Sequence, residues 1–236
     1  MLSDAHCHLA GSRELANLQQ QDQILTIINC QSPAEWERNT MLTGAHQHLS
    51  FGIHPWQATD FRWPEVTPYL EKTRVVGEIG LDNVWTDVNL LDQSRVFEAQ
   101  LQFAHDHRKP VILHTKGCER AVLKTIQKYP NRYMVHWYAT KDYQRDYIRL
   151  DCFFTIGVDV LTDPAVAQLA QDVPLNRILI ETDGLEAIRW AGDTEATVAD
   201  YPHILHRSIR AVAALRGMAS DELEAQVYRN LEAFLA

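Results

Sequence analysis

Eight short apolar runs recur along the chain, and they limit its possible architectures more than any other feature. Each is rich in valine, isoleucine or phenylalanine and is bounded by glycine, proline, aspartate or asparagine, which is typical of buried strands. The runs are residues 2–9, 24–30, 49–53, 74–81, 110–114, 133–137, 152–158 and 177–182.

Helical patterns occupy the gaps between these runs. Ser32 and Pro33 have the residue types of an N-cap and a first helical position, and Asp163-Pro164 opens another helix. The last two helical patterns are strongly amphipathic. The predicted helices include residues 33–46, 90–107, 164–171, 204–215 and 221–235.

Eight strands that alternate with helices predict an α/β protein whose parallel sheet closes into a (β/α)8 TIM barrel. Strand ends fall near residues 8, 30, 54, 78, 114, 136, 158 and 183, so all steps but one span 22 to 25 residues. The alternative is an open doubly wound sheet, which usually has fewer strands and a glycine-rich phosphate loop after the first one. No linker or internal repeat interrupts the pattern, so we expect one domain over residues 1–236.

The active site of such a barrel lies where its strands end, at the C-terminal face. Strand alternation puts His6 and His8 on one face of the first strand and Cys7 on the other. An isolated pair of this kind would be interpreted as two surface histidines. Here, however, metal-capable side chains occupy the ends of six strands, which favours a metal site. They are His6, His8, His54, Glu78, His114, His136 and Asp183.

These donors are too numerous for one tetrahedral ion and suit two divalent ions that share a bridging carboxylate, with Glu78 as the candidate bridge. Imidazole-rich ligation favours zinc, manganese, iron or cobalt over calcium, whereas magnesium is less expected as the resident ion but possible for activity. Two such ions can activate a water together, and Asp183 could orient that water or take its proton. We expect Asp4 to hydrogen-bond the ring of a ligand histidine rather than to bind metal itself.

The composition narrows the choice of partners and of compartment. The net charge is −9, with 31 acidic against 22 basic residues, which does not favour tight binding to a long duplex but does not exclude a nuclease. The four cysteines are far apart and indicate reduced thiols. No segment has the pattern of a signal peptide or a membrane span. We therefore expect a cytoplasmic protein without a membrane or obligate protein partner.

Several motifs resemble those of the TatD-type metal-dependent hydrolases, which belong to the amidohydrolase-like barrel superfamily. The similarity extends from end to end of the chain and does not rest on any single short motif. The motifs are DAHCHL at 4–9, GIHPW at 52–56, VVGEIGLD at 75–82, PVILHTK at 110–116, HW at 136–137, IETD at 180–183, and Asn230 in the last helix.

The resemblance implies roles for eight of the motif residues. One metal would be held by His6, His8 and Asp183, and the second by His114 and His136, with Glu78 between them. His54 and Lys116 would face a substrate phosphate. Lysine stands at 116 where relatives usually have arginine, so the charge is kept without the bidentate geometry. Family members are mostly described as metal-dependent DNases, including exonucleases that act on single strands.

The loops that would face the substrate differ from the family pattern. The chain reads HWYATKD from His136, where relatives commonly read HxFSG, and Gly184 follows Asp183, where they have serine or alanine. Asn83 replaces a usual tyrosine. Trp56, Trp85 and Trp137 follow strand ends and would either stack on bases or pack at the barrel rim.

Three functions therefore remain open. The leading hypothesis is a two-metal phosphodiesterase that acts on DNA ends or short single strands. The second is a metal hydrolase of a small phosphoester, lactone or amide, and the third is a non-catalytic binding protein on a barrel scaffold.

Overall fold

The computed structural model describes all 236 residues, and its eight strands form one sheet in the order β1 to β8. Each strand pairs in parallel with the next, and the predicted (β/α)8 barrel is confirmed. The strands are β1 (Ser3–Cys7), β2 (Leu25–Cys30), β3 (Gln47–Phe51), β4 (Val75–Gly80), β5 (Val111–His114), β6 (Tyr133–Val135), β7 (Phe153–Ile156) and β8 (Ile178–Ile180).

Ten helices surround and close the barrel. The two predicted N-terminal caps form, since Ser32 Oγ accepts the Glu35 N–H at 3.2 Å and Asp163 Oδ1 accepts the Ala165 N–H at 2.7 Å. None of the helices combines the length and apolar character that a membrane crossing requires. The helices are α1 (Arg13–Gln21), α2 (Pro33–Thr40), α3 (Trp63–Lys72), α4 (Leu90–Asp106), α5 (Glu119–Ile126), α6 (Gln144–Arg149), α7 (Pro164–Asp172), α8 (Leu185–Trp190), α9 (Tyr201–Arg216) and α10 (Ser220–Leu235).

The region between α2 and β3 differs from the prediction. Helix α2 ends at Thr40 rather than at residue 46, and β3 begins at Gln47, two residues before the apolar run. The Gln47 side chain explains the early start. Its buried amide donates to the carbonyl of Ala16 and to Gln19 Oε1, so a polar residue occupies a buried strand position with its hydrogen bonds satisfied.

Two apolar layers lie on opposite faces of the strands. The larger layer packs between the strands and the helices. The smaller one fills the barrel interior with alternate strand residues such as Ile112, Met134 and Leu179. Leu231 and Phe234 of α10 belong to this inner layer, so the last helix closes the N-terminal end of the barrel. The opposite end, where the strands terminate, stays open to a site.

The β8–β1 junction is closed differently from the other seven. No ladder of strand pairing joins these strands, but the Asp183 N–H donates to the carbonyl of His6 at 2.9 Å. The buried Asp4 carboxylate reinforces the junction by accepting the N–H of Thr182 at 3.1 Å, its hydroxyl at 2.5 Å, and the Tyr201 hydroxyl. One side chain of β1 therefore carries much of the barrel closure.

The expected role of Asp4 is wrong in one respect, because Asp4 contacts no imidazole. The pairing of β1 with β2 shifts register between Asp4 and Cys7, which indicates a β-bulge. The bulge turns Asp4 to the Cys7 side of the strand, where Gln19 Nε2 bonds both Cys7 Sγ and the Tyr201 hydroxyl that contacts Asp4. Burial raises the pKa of Asp4 to about 6, against the opposing effect of its hydrogen-bond donors.

Replacing Asp4 should weaken the barrel. Asp4→Ala leaves the Thr182 N–H and two hydroxyls without their acceptor in a dry environment, so we expect the free energy of unfolding to fall by about 3 kcal/mol or more. Urea denaturation followed by circular dichroism measures this change. Asp60→Ala removes an exposed aspartate without side-chain hydrogen bonds and should stay within about 0.5 kcal/mol of the parent protein. Equal losses in the two variants would contradict the role of Asp4 in closure.

Candidate metal centre

The C-terminal ends of six strands bring seven metal-capable side chains into one cluster. Each arises within a strand or in the three residues that follow it, so the sheet fixes their positions. β1 supplies His6 and His8, β3 leads to His54, β4 carries Glu78, β5 ends in His114, β6 leads to His136, and β8 leads to Asp183. The cluster opens into a cavity of about 870 Å³.

Local backbone features direct these side chains inward. The register of β4 against β5 shifts between Val76 and Ile79, so the strand is irregular around Glu78, as β1 is beside His6. Gly184 allows the end of β8 to approach β1, because a Cβ atom there would collide with the carbonyl oxygen of His8. Asp183 has a φ of 60°, a conformation that non-glycine residues rarely adopt and that is common at functional sites.

Glu78 lies at the centre, with a different group of side chains on each carboxylate oxygen. On one side, Glu78 Oε2 is 3.4 Å from His6 Nε2 and 3.5 Å from His8 Nε2. The same two nitrogen atoms lie 3.3 Å and 3.6 Å from Asp183 Oδ1. These four side chains form the first donor group.

The second donor group surrounds the other oxygen. Glu78 Oε1 lies 2.6 Å from His114 Nδ1, 2.7 Å from His136 Nε2 and 3.3 Å from His54 Nε2. The His114 Nδ1 atom is in turn 3.4 Å from the Nε2 atoms of both His54 and His136. A single carboxylate thus contacts both groups.

The donor spacing fits metal coordination. Four ligands at about 2.0–2.1 Å from a tetrahedral ion lie roughly 3.3 Å apart, which is the separation found in the first group. His6 is fully buried, yet neither of its ring nitrogens has a hydrogen-bond partner. A buried imidazole with Nε2 between two carboxylate oxygens is suited to bind a cation. The first group therefore has the spacing of a metal site, and His54, Glu78 and His114 of the second group also bring their ligand atoms within 4.8 Å of one another.

The pKa shifts in the cluster also indicate that the buried carboxylates need positive charge beside them. Burial alone would raise the pKa of Glu78, but the imidazoles of His136, His54 and His114 hold it well below its usual range. Burial alone would lower the pKa of His8, but its hydrogen bond with Glu78 and the charge of Asp183 raise it to about 9. The pKa of His136 is raised well above its usual value, against burial, chiefly by the Glu78 charge. Divalent ions would supply this charge without protonating the imidazoles.

His54 differs from the other imidazoles. Its Nδ1 accepts the backbone N–H of Trp56 at 3.3 Å. Nε2 is therefore the protonated nitrogen, and it faces the second donor group. Burial lowers the pKa of His54, although Glu78 opposes this shift, so the ring is neutral. His54 therefore lies in the cluster as a hydrogen-bond donor.

Asp82 is a site residue to which the sequence reasoning gave no role, although the VVGEIGLD motif ends on it. Its Oδ2 accepts from His114 Nε2 at 2.9 Å and from Trp56 Nε1 at 2.7 Å. The hydrogen bond to Asp82 fixes the orientation of the His114 ring and turns Nδ1 toward Glu78 and the second donor group. The sequence feature that could have identified Asp82 is its position directly after the apolar run at residues 74–81.

Glu181 was also missed. It is fully buried, its Oε1 accepts the backbone N–H of Trp137 at 2.7 Å, and its Oε2 lies 3.6 Å from His136 Nδ1. Glu181 therefore faces His136 from behind, but without the hydrogen bond that Asp82 makes to His114. The signal was its position in IETD, directly after strand β8.

The residues expected to face the substrate line the same cavity. Lys116 places Nζ 4.4 Å from the centre of the Trp85 ring, a cation–π contact, and it is the only lysine or arginine along the cavity wall. Trp56 and Trp137 lie on opposite sides of the donor cluster, one hydrogen-bonded to Asp82 and the other to Asp159. Burial raises the pKa of Asp159 to about 6, although the Trp137 hydrogen bond opposes this.

A model of the TatD-related DNase family matches residues 3–236. An uncharacterized metal-dependent hydrolase of Buchnera aphidicola is 23% identical over 97% of this chain and 94% of its own length. The 3'-5' ssDNA/RNA exonuclease TatD of Dickeya dadantii is 26% identical over 76% of this chain and 73% of its own.

A solved structure has the same fold. The TatD homologue YjjV of Escherichia coli superposes with a TM-score of 0.82 over 99% of this chain and 97% of its own, at 18% identity. The family match extends across all eight strands and therefore includes every member of the donor cluster. The chain belongs to the TatD-related DNase family of metal-dependent hydrolases.

Proposed function

We propose that the chain is a two-metal phosphodiesterase that hydrolyses DNA ends or short single strands. The observation that carries the proposal is the position of Glu78, whose two oxygens contact two separate donor groups. A carboxylate shared by two groups is what a pair of adjacent divalent ions requires. The family description and the printed name of the Dickeya dadantii relative support a nucleic-acid substrate.

Each donor group would hold one ion. His6, His8 and Asp183 would bind the first, His114 and His136 the second, and Glu78 both. The imidazole-rich donor set favours zinc, manganese, iron or cobalt, with magnesium possible for activity. When bound, the ions would supply positive charge that polarises the scissile phosphate and acidifies the attacking water.

The protein residues would position the substrate and handle the proton. Asp183 Oδ1 lies beside His6 and His8 and would accept the proton of the attacking water as general base. The neutral His54 would donate its Nε2 hydrogen to a phosphate oxygen, and Lys116 would add a positive charge at the cavity wall. Burial of Glu78 and His136 excludes bulk water from the centre and strengthens these interactions.

A second candidate function is hydrolysis of a small phosphoester, lactone or amide. Two observations favour it: a cavity of about 870 Å³ that suits a small molecule, and the carboxylates of Glu35, Glu119 and Glu186 along its wall. A non-catalytic binding protein has less support, because a carrier does not require a carboxylate shared by two donor groups.

Metal analysis tests the centre. Reconstituted parent protein should hold about two transition-metal equivalents by mass spectrometry, and His6→Ala should retain about one because only the first group is damaged. Glu78→Ala should fall below one equivalent, since both groups lose a donor. His203→Ala, which removes an exposed histidine on α9, should still hold two. A parent protein that stays metal-free would refute the two-metal proposal.

Activity assays separate the candidate functions. With Mg²⁺, Mn²⁺ or Zn²⁺, a labelled single-stranded oligonucleotide should be shortened by the parent protein. Glu78→Ala should reduce the rate to background, and Asp183→Asn should lower kcat by about 100-fold or more, because the general base is lost. Circular dichroism confirms that the variants fold. Turnover of a small ester without any shortening of the strand would favour the second candidate.

Asp82 provides a finer test of the second group. Asp82→Asn keeps the shape but removes the charge that His114 contacts, so the second ion should bind about 10- to 100-fold more weakly. Metal titration calorimetry measures this affinity. Asp87→Asn, an exposed change in the same loop, is the control and should leave both affinities unchanged.

A further inference from the structure

Four tryptophans form a continuous arc along the cavity wall beside the donor cluster. Trp56 meets Trp85 with ring centres 6.4 Å apart, Trp85 meets Trp190 at 5.8 Å, and Trp190 meets Trp137 at 6.2 Å. Every contact is edge-to-face, with interplanar angles of 70° to 81°. We call these four residues the tryptophan arc. Trp190, at the end of α8, lies outside all of the sequence motifs described above.

The two tryptophans at the ends of the arc are held by side-chain hydrogen bonds, and the two between them are not. The indole N–H of Trp56 donates to Asp82 and that of Trp137 to Asp159. Trp85 and Trp190 use their N–H groups in no hydrogen bond within the chain. Trp56 also packs against His54, with ring centres 4.9 Å apart, so one end of the arc reaches the second donor group. The arc is thus held beside the metal centre. In its middle, Lys116 Nζ covers one face of Trp85, and Trp190 is exposed to a ligand.

Packing alone does not account for these side chains. Trp190 is 69% exposed, Trp85 48% and Trp56 45%, which is unusual for large apolar side chains placed side by side. Such aromatic surfaces beside a concave site are typical of recognition of planar groups, since every nucleobase offers a π-face.

The charge of the cavity wall limits how many phosphates the ligand can bring. Outside the donor cluster, Glu35, Glu119 and Glu186 contribute carboxylates, and Lys116 is the only cation. A site that follows a long strand needs a basic groove along the backbone. This wall would repel phosphates beyond those beside the metal centre.

We propose that the tryptophan arc binds the bases next to a single scissile phosphate, so that the preferred substrate is a dinucleotide-sized single strand. This proposal rests on the phosphodiesterase function proposed above. Stacking on Trp190, and on the face of Trp85 opposite Lys116, would supply affinity that the sparse cations do not. Binding would therefore depend on the bases and only weakly on strand length or salt.

The test compares three substrates under one metal condition: a deoxyadenosine dinucleotide, its base-free counterpart with a tetrahydrofuran in place of each nucleoside sugar and base, and a deoxyadenosine decamer. The parent protein should cleave the dinucleotide with kcat/KM at least tenfold above the base-free analogue. The decamer should be no more than about threefold better than the dinucleotide. Raising salt from 50 to 200 mM should change kcat/KM by less than about threefold.

Variants separate stacking from structure. Trp190→Ala should raise KM for the dinucleotide about tenfold, from the stacking energy of one base, with kcat and the base-free substrate unaffected. Trp190→Phe should restore most of the affinity. Trp63→Ala is the matched control, because Trp63 is 38% exposed on α3 and packs on Phe103 away from the cavity.

Each adverse result has a separate meaning. Equal cleavage of dinucleotide and base-free analogue, or a decamer preferred by tenfold or more, would overturn the role of the arc while leaving the phosphodiesterase function intact. An equal loss in Trp190→Ala on both dinucleotide substrates would also overturn it. Failure to cleave any of the three substrates would instead refute the proposed function.

Discussion

The two oxygens of Glu78 each face a different set of imidazoles, and most of the site depends on that arrangement. A buried carboxylate is unfavourable unless positive charge or hydrogen-bond donors surround it. Here the surroundings come from β1 on one side and from β3, β5 and β6 on the other. The carboxylate can be satisfied only when the barrel has closed, so the centre and the fold depend on each other.

Closure in turn depends on β1, where the structural and the chemical roles alternate along the strand. Asp4 holds Thr182 from the helix side, whereas His6 and His8 face the cavity beside Asp183. Thr182 and Asp183 are neighbours, so the contacts that close the barrel also position the carboxylate of the first donor group. The Asp183 N–H bond to the His6 carbonyl adds a second restraint on the same residue.

Much of this architecture could be predicted from the sequence, because buried parallel strands produce continuous apolar runs and parallel strands end on one face of the barrel. The seven clustered side chains follow from that rule alone. The bulge that turns Asp4 away from the histidines could not be predicted, since an extra residue in a strand leaves no compositional mark. Glu181 and Asp82 were missed because their contacts with Trp137 and His114 join different strands, which a one-dimensional pattern does not reveal. Trp190 lies in a short helix after β8, where one-dimensional patterns do not reveal which way a ring points.

The closure of the barrel interior by α10 has a consequence for how the chain reaches its folded state. Leu231 and Phe234 complete an inner layer whose other members start at Ala5, so the first strand and the last helix must meet. Contacts between residues so far apart in sequence form slowly, because the chain loses its loop-closure entropy before the contacts begin to stabilise it. During synthesis, a nascent chain that already carries every histidine of the donor cluster would still expose the apolar floor of its barrel. The donor cluster would reach its final geometry only once α10 covers that floor.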